Sequence, residues 1–258
     1  MSDTQAGRSA GNDRFNAEAA AWDSNPFVYA MSLEAWKAIQ ASVPSLFSGA
    51  GQRPDILEIG CGTGLLSLEV APAANRLVAV DAAEGMIDVL SSKLGKPSTP
   101  QNITPLAMML EDPEDARLPA AADGGGGGGG GARLKYDLVI SHLVLHHIQD
   151  IKQVLTTMLG CLKSGGVAAL TDFEDFGPEA KRFHPEGKMG GVEHHGIPRA
   201  WMAELMGEVG FRDVRVEVAW RHTKLVERFE GEFETGEPGK GQGELMEFSY
   251  LICLGTKG

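Results

Sequence analysis

In the segment Asp55-Ile-Leu-Glu-Ile-Gly-Cys-Gly-Thr-Gly64, a short apolar run passes into three glycines at every second position, and a helix-forming stretch follows at once. A glycine-rich turn between a strand and a helix lets a ligand approach the backbone closely, and the N–H groups at the helix start are free to bind its oxygens. A dinucleotide-binding turn, G-x-G-x-x-G, would place its third glycine at position 65. That position is Leu65, and the third glycine comes one residue early. Glu58, two residues before Gly60, would repel a pyrophosphate but attract an ammonium group, directly or through water. A second carboxylate, Asp81, ends the strand-like run Arg76-Leu-Val-Ala-Val-Asp81, 21 residues after Gly60. A carboxylate there can accept two hydrogen bonds from a ribose diol. Its alternative role is to cap the helix that follows.

The second group of reactive side chains is histidine, whose ordinary pKa lies close enough to neutral for general-base work. His142, His146 and His147 surround the end of an apolar run, Leu138-Val139-Ile140, where open α/β sheets place their ligands. The plainer reading of His146 and His147 is packing or capping. His184, His194 and His195 fall in the stretch Phe173 to Ile197, together with Phe173, Phe176 and Phe183. This stretch is expected to cover an apolar acceptor, with His194 or His195 beside the reacting atom. The spacing of these histidines matches no zinc signature, and no metal centre is expected.

The elements that must position these groups alternate along the chain. Apolar runs at 56–59, 77–80, 103–110, 138–140, 167–170, 214–220 and 248–254 read as strands. Helical stretches follow at 64–70, 83–94, 151–162 and 198–209, and another precedes the first strand, from Phe15 to Val43. Short apolar strands separated by amphipathic helices imply a mostly parallel α/β sheet covered on both faces. Residues 1–14 are mostly small and polar and read as a disordered tail, leaving 15–258 as a single domain with an N-terminal helical cap. Eight consecutive glycines at 124–131 read as a flexible surface loop, and Glu232 to Gly243 as an exposed loop between the last two strands.

Lysine and arginine number 23 against 35 acidic residues, a formal charge of −12. Such a surface repels phosphate backbones, which argues against a nucleic-acid partner. Cys61, Cys161 and Cys253 are widely spaced and odd in number, as in a reducing compartment. The polar residues 1–16 do not resemble a signal peptide, and no run of 18 apolar residues is present. A cytoplasmic protein without a membrane span is expected. No heptads mark an oligomer interface, so the oligomeric state is left open.

Residues 55–81 resemble motif I and the following acidic loop of the class I S-adenosylmethionine (SAM)-dependent methyltransferases. The similarity continues through Tyr136–Asp150 and Leu162–Asp172, and extends over about residues 15–258. Within that superfamily the chain is most similar to small-molecule enzymes, including the ubiquinone/menaquinone C-methyltransferase group. The resemblance implies a Rossmann-like seven-stranded sheet with an antiparallel last strand, and S-adenosyl-L-methionine as the methyl donor. It implies that Glu58, Gly60, Cys61, Gly62 and Gly64 surround the methionine moiety, that Asp81 holds the ribose, and that Met86 packs on the adenine. Glu111 or Asp112 would meet the adenine amino group, and Ser141 would contact the cofactor. Trp22, Asp23, Phe27 and Tyr29 resemble a "WD" segment that closes over the cofactor, although a static helix on the sheet edge fits them equally well. The acids after the third strand depart from the usual register, and the glycine run replaces a helix, so the third crossover is degenerate.

The expected reaction is in-line transfer of a methyl group to a small organic acceptor. Positioning alone contributes about 7–11 kcal/mol to such a displacement, so the lack of an obvious catalytic dyad does not count against it. A protein-directed methyltransferase and a SAM-binding regulator are the alternatives; an NAD-dependent oxidoreductase is disfavoured by the glycine spacing.

Overall fold

A computed structural model describes residues 3–48, 53–121 and 132–258. Its seven strands are β1 (Asp55–Ile59), β2 (Arg76–Asp81), β3 (Ile103–Ala107), β4 (Tyr136–His142), β5 (Leu162–Phe173), β6 (Arg212–Val226) and β7 (Glu244–Thr256). They form one sheet in the order β3-β2-β1-β4-β5-β7-β6. Strands β1 to β5 pair in parallel, and β7 runs antiparallel to both β5 and β6. This is the Rossmann-like arrangement expected, antiparallel last strand included.

The burial pattern explains the order. Every residue of β1 is buried, as a strand covered on both faces requires. Leu57, with Val78 and Val139, faces a core completed by α5 (Ile151–Cys161) and α6 (Arg199–Val209). Ile56, with Leu77 and Leu138, faces the opposite core, closed by α2 (Pro26–Ser42), α3 (Leu65–Val70) and α4 (Glu84–Leu94). Strand β6 instead alternates between exposed and half-buried positions, as suits the sheet edge. Helix boundaries follow local chemistry. Asn25 caps α2 by accepting from the Phe27 amide at 3.0 Å, with Pro26 in the first turn. Asp150 caps α5 through the Gln153 amide at 2.9 Å.

Three expectations about the connecting segments need correction or limits. The segment read as a disordered tail belongs to a helix, α1 (Asp3–Trp22). Long-range contacts hold it: Arg14 donates to the carbonyls of Lys188 and Gly190, and the Gly85 amide donates to Asn16. Local composition cannot reveal such partners. The stretch between β6 and β7 is also more than an exposed loop. Phe233 and Glu232 are buried there, and the Glu232 carboxylate accepts from the Arg228 and Gly243 amides. The glycine run at 124–131 lies outside the described residues. Among the described residues no helix joins β3 to β4, in keeping with a degenerate third crossover. No helix among them is long and apolar enough to cross a membrane.

Candidate active site

The carboxyl ends of β1, β2 and β4 open into a cavity of about 910 Å³, roofed by α1 and by the segment that follows β5. A space of that size accommodates a cofactor together with a small acceptor. The glycine turn forms its floor. The amides of Gly60 and Cys61 both donate to the Val80 carbonyl, at 2.8 and 3.0 Å, which ties the turn to β2. Gly60 has φ +75°, and a Cβ there would overlap the Val144 side chain; Gly64, at φ +81°, would meet Leu90 in the same way. Only glycine satisfies both the backbone and the space.

Both carboxylates named from the sequence line the cavity. Glu58 lines the cavity, is 2% exposed and accepts from the Ser67 hydroxyl at 2.6 Å. Burial pushes its carboxyl up to about 8, the Ser67 hydrogen bond opposes the shift, and the negative charge of Asp81 adds to it. Asp81 receives the Gly62 amide on one oxygen and the Ala83 amide on the other, both at 2.8 Å. It therefore ties the glycine turn to the Ala83 amide just ahead of α4, while still lining the cavity. Burial, and next the Glu58 charge, raise the Cys61 thiol, so Cys61 is a wall and not a nucleophile.

Not every predicted contact reaches the cavity. Met86 and Glu111 line it, whereas Asp112 lies outside, exposed, accepting from the Glu114 amide at 2.8 Å. Of the two acids offered for the adenine amino group, Glu111 is the one that lines the cavity. Ser141 is fully buried and donates to the Ile59 carbonyl at 2.8 Å, so it braces β4 against β1 instead of meeting a ligand. Gly64 shapes the turn without lining the space.

On the acceptor side the structure brings together a different set of histidines from the one expected. His146 and His147 both line the cavity. The His146 Nδ1 lies 2.8 Å from the buried Asp172 carboxylate, and the His147 Nδ1 lies 2.8 Å from the Gly191 carbonyl. His184 joins them, its ring centroid 5.0 Å from that of His146 and 5.7 Å from that of His147. Burial, and then the charge of His146, hold His147 and His184 well below the ordinary histidine range. His194 and His195 are not beside the reacting centre. His194 turns its Nε2 to the Ile148 carbonyl at 3.0 Å, and His195 is exposed. The amides of Glu193 and His194 both donate to the His146 carbonyl, which fixes the backbone so that Glu193 lines the cavity and the two histidines after it do not.

Two further groups were not foreseen. Asp172 closes the quoted segment at 162–172, yet its pairing with His146 across 26 residues has no local signal. Lys224, from the edge strand, reaches the cavity with its ammonium 4.1 Å from the Phe183 ring and 4.9 Å from the Phe27 ring. Burial pulls Lys224 down to about 7. The roof is stitched by Asp23, which accepts from the Thr63 hydroxyl at 2.5 Å and pairs with Lys93, and by Phe15, which stands edge-on to Trp22 and to His147. Tyr29 is exposed.

Residues 57–168 match the family described as "Methyltransferase domain", a span that includes the glycine turn, Asp81, His146 and His147. An uncharacterized methyltransferase of Schizosaccharomyces pombe is 28% identical over 144 residues, 55% of this chain and 47% of that protein. The malonyl-[acyl-carrier protein] O-methyltransferase of Acetivibrio thermocellus is 32% identical over 124 residues, 47% of this chain and 36% of that protein. The chain thus spans about half or less of the curated relatives it matches. Among solved structures, the DhpI–SAH complex superposes with a TM-score of 0.56 at 18% identity, covering 94% of each chain, a likeness of fold.

Proposed function

We propose that the chain, whose residues 57–168 match a methyltransferase domain, transfers the methyl group of S-adenosylmethionine to a small organic acceptor. One observation carries this reading most directly: a single cavity joins the glycine turn, Glu58 and Asp81 at one end to a cluster of histidines at the other. The residues fit the cofactor. The Cβ-free turn lets it lie against the backbone, Glu58 suits the ammonium of its methionine end, Asp81 its ribose, and Met86 with Glu111 its adenine. When bound, it supplies a methyl group already activated by a sulfonium.

The protein's own contribution is to align and to handle a proton. With Nδ1 engaged by Asp172, His146 has its Nε2 lone pair left for the acceptor, and the Gly191 carbonyl orients His147 in the same way. A neutral imidazole so oriented accepts the proton that a hydroxyl, thiol or amine acceptor must lose. Phe27, Phe183 and Lys224 supply an apolar wall with one cationic point, suited to a small acceptor with aromatic or anionic character. The roof of α1 and the segment after β5 exclude water and favour a small molecule over a polymer. The charge of −12 argues against nucleic acid, and three buried free cysteines accord with a cytoplasmic location.

The test is to incubate pure protein with methyl-labelled SAM and source-cell extract and to fractionate the label. Label in small molecules supports the proposal and identifies the acceptor. Label in protein replaces it with a protein-directed activity. Absence of SAM binding removes the methyltransferase reading altogether.

A further inference from the structure

The three histidines of the acceptor half form a more specific constellation than a general base needs. One ligand-capable atom from each of His146, His147 and His184 lies within 4.8 Å of the other two. We propose that these three side chains bind a divalent transition metal, Zn²⁺ by their chemistry, with a fourth coordination position open to the acceptor. The inference rests on the reading of this end of the cavity as the acceptor half. It revises how the acceptor loses its proton: coordination to the metal replaces transfer to His146.

Four observations support the site. First, the tautomers are set by partners behind the rings. A carbonyl and a carboxylate only accept, so His147 and His146 donate from Nδ1 and leave Nε2 as a lone pair. Second, a buried carboxylate behind a ligating histidine is the arrangement that orients imidazoles on zinc and raises their basicity, and Asp172 is fully buried. Third, His184 presents a buried Nδ1 with no hydrogen-bond partner, an orphan that a metal would satisfy. Fourth, three neutral nitrogen donors with one open position are the composition of zinc sites that activate a bound oxygen or sulfur.

Charges of both signs surround the trio. Asp172 supplies a countercharge at the back of His146. Arg14 and Lys224 are the cations that face His147 or His184, Arg14 bonded to the Lys188 and Gly190 carbonyls and Lys224 to the Phe183 carbonyl. The stretch 184–195 was read as metal-free because its own histidines have no zinc spacing. The trio here takes adjacent residues from the turn after β4 and a third from 37 positions further on, a pattern that only the fold assembles. On coordination, an acceptor hydroxyl or thiol loses its proton to water. The resulting anion attacks the methyl carbon, and the carbon–sulfur bond of the sulfonium breaks with its electron pair returning to sulfur.

The experiment measures Zn²⁺ binding to the full chain after chelator treatment, by competition with a chromophoric chelator, with neither SAM nor acceptor present. The site predicts one Zn²⁺ per chain and, on Co²⁺ substitution, the intense visible bands of a tetrahedral or five-coordinate ion. Asp172→Asn, which keeps the three ligands, should weaken Zn²⁺ by roughly 10–100-fold. His184→Ala and His147→Ala, made in parallel, should each weaken it more than that, while His194→Ala leaves it unchanged. Thermal unfolding and SAM binding verify that each variant is folded. Folded wild-type protein that binds no Zn²⁺, or folded His184→Ala and His147→Ala that bind it as tightly as wild type, overturns the site. Since binding is read without methyl transfer, a failure here leaves the methyltransferase reading intact. A chain that binds Zn²⁺ as predicted but not SAM would refute that reading alone.

Discussion

Placing the methionine ammonium against Glu58 makes proton release a direct report of where the ligand lies. Burial pushes the Glu58 carboxyl up to about 8, so at neutral pH it is mostly protonated, whereas an ammonium beside it favours the ionised form. The ligand's ammonium sits beside its own carboxylate, which holds it protonated to higher pH than a peptide N-terminus at about 7.7–8.0. At pH 6 the free partners therefore hold two protons and the complex holds one, so binding releases one proton; above both values it takes one up. The ionised fraction of Glu58 rises from about 0.3% at pH 5.5 to about 25% at pH 7.5, so affinity should rise by about 75-fold, or ~2.6 kcal/mol, and peak above pH 8. Isothermal titration with S-adenosylhomocysteine, which keeps the amino-acid end, in buffers of different ionisation heat gives both the slope and the proton count. Glu58→Gln should flatten the curve. Wild-type affinity constant within about twofold from pH 5.5 to 7.5, or an undiminished slope in Glu58→Gln, refutes the placement. The same carboxyl has a sign for stability. It keeps a proton in the folded state that the unfolded chain loses, so its contribution falls as pH rises from about 4.5 to about 8, and Glu58→Gln removes that fall.

Other perturbations bear on separate parts of the site. Gly60→Ala should destabilise the fold by about 2–4 kcal/mol, from left-handed backbone strain plus overlap with Val144, seen as a lowered denaturation midpoint and lost SAM binding. His184→Ala should lower methyl transfer by at least about tenfold while SAM affinity stays within about twofold, whereas His195→Ala, exposed and outside the cavity, should leave turnover unchanged. Arg14→Ala removes the hydrogen bonds that hold α1 to the Lys188 and Gly190 carbonyls. Limited proteolysis should then cut α1 several-fold faster, and added SAM should restore protection if the helix closes over the cofactor.

How far each part could be read ahead of the fold follows from how local its causes are. The strand-turn-helix at 55–70 and the acid at 81 were legible because backbone conformation and burial leave their marks on adjacent residues. The sheet was legible for the same reason, since Ile56 and Leu57 each need a core on their own face. His184 was passed over for His194 and His195 because proximity in the chain cannot tell which of three nearby rings turns inward. That choice is made by the amides of Glu193 and His194 on the His146 carbonyl. Asp112 stood level with Glu111 because composition does not give the register after β3, and the inward turn of the Ser141 hydroxyl to the Ile59 carbonyl depends on a neighbouring strand. Lys224 gave no signal, being one charged residue among several on an alternating edge strand. The part of α1 before Phe15 looked like a tail because the partners of Arg14 lie more than 170 positions away.

The double duty of Asp81 bears on what ligand binding costs and on how its loss is interpreted. Because its two oxygens already hold the Gly62 and Ala83 amides, the turn does not have to be organised when a ligand arrives, and little ordering entropy is spent there. Removing the carboxylate is consequently not a clean subtraction of a ribose contact. It also frees the loop that presents backbone N–H groups to the opposite end of the cofactor. The subsites proposed for ribose and methionine are thus one mechanical unit, and the energies of weakening each will not add.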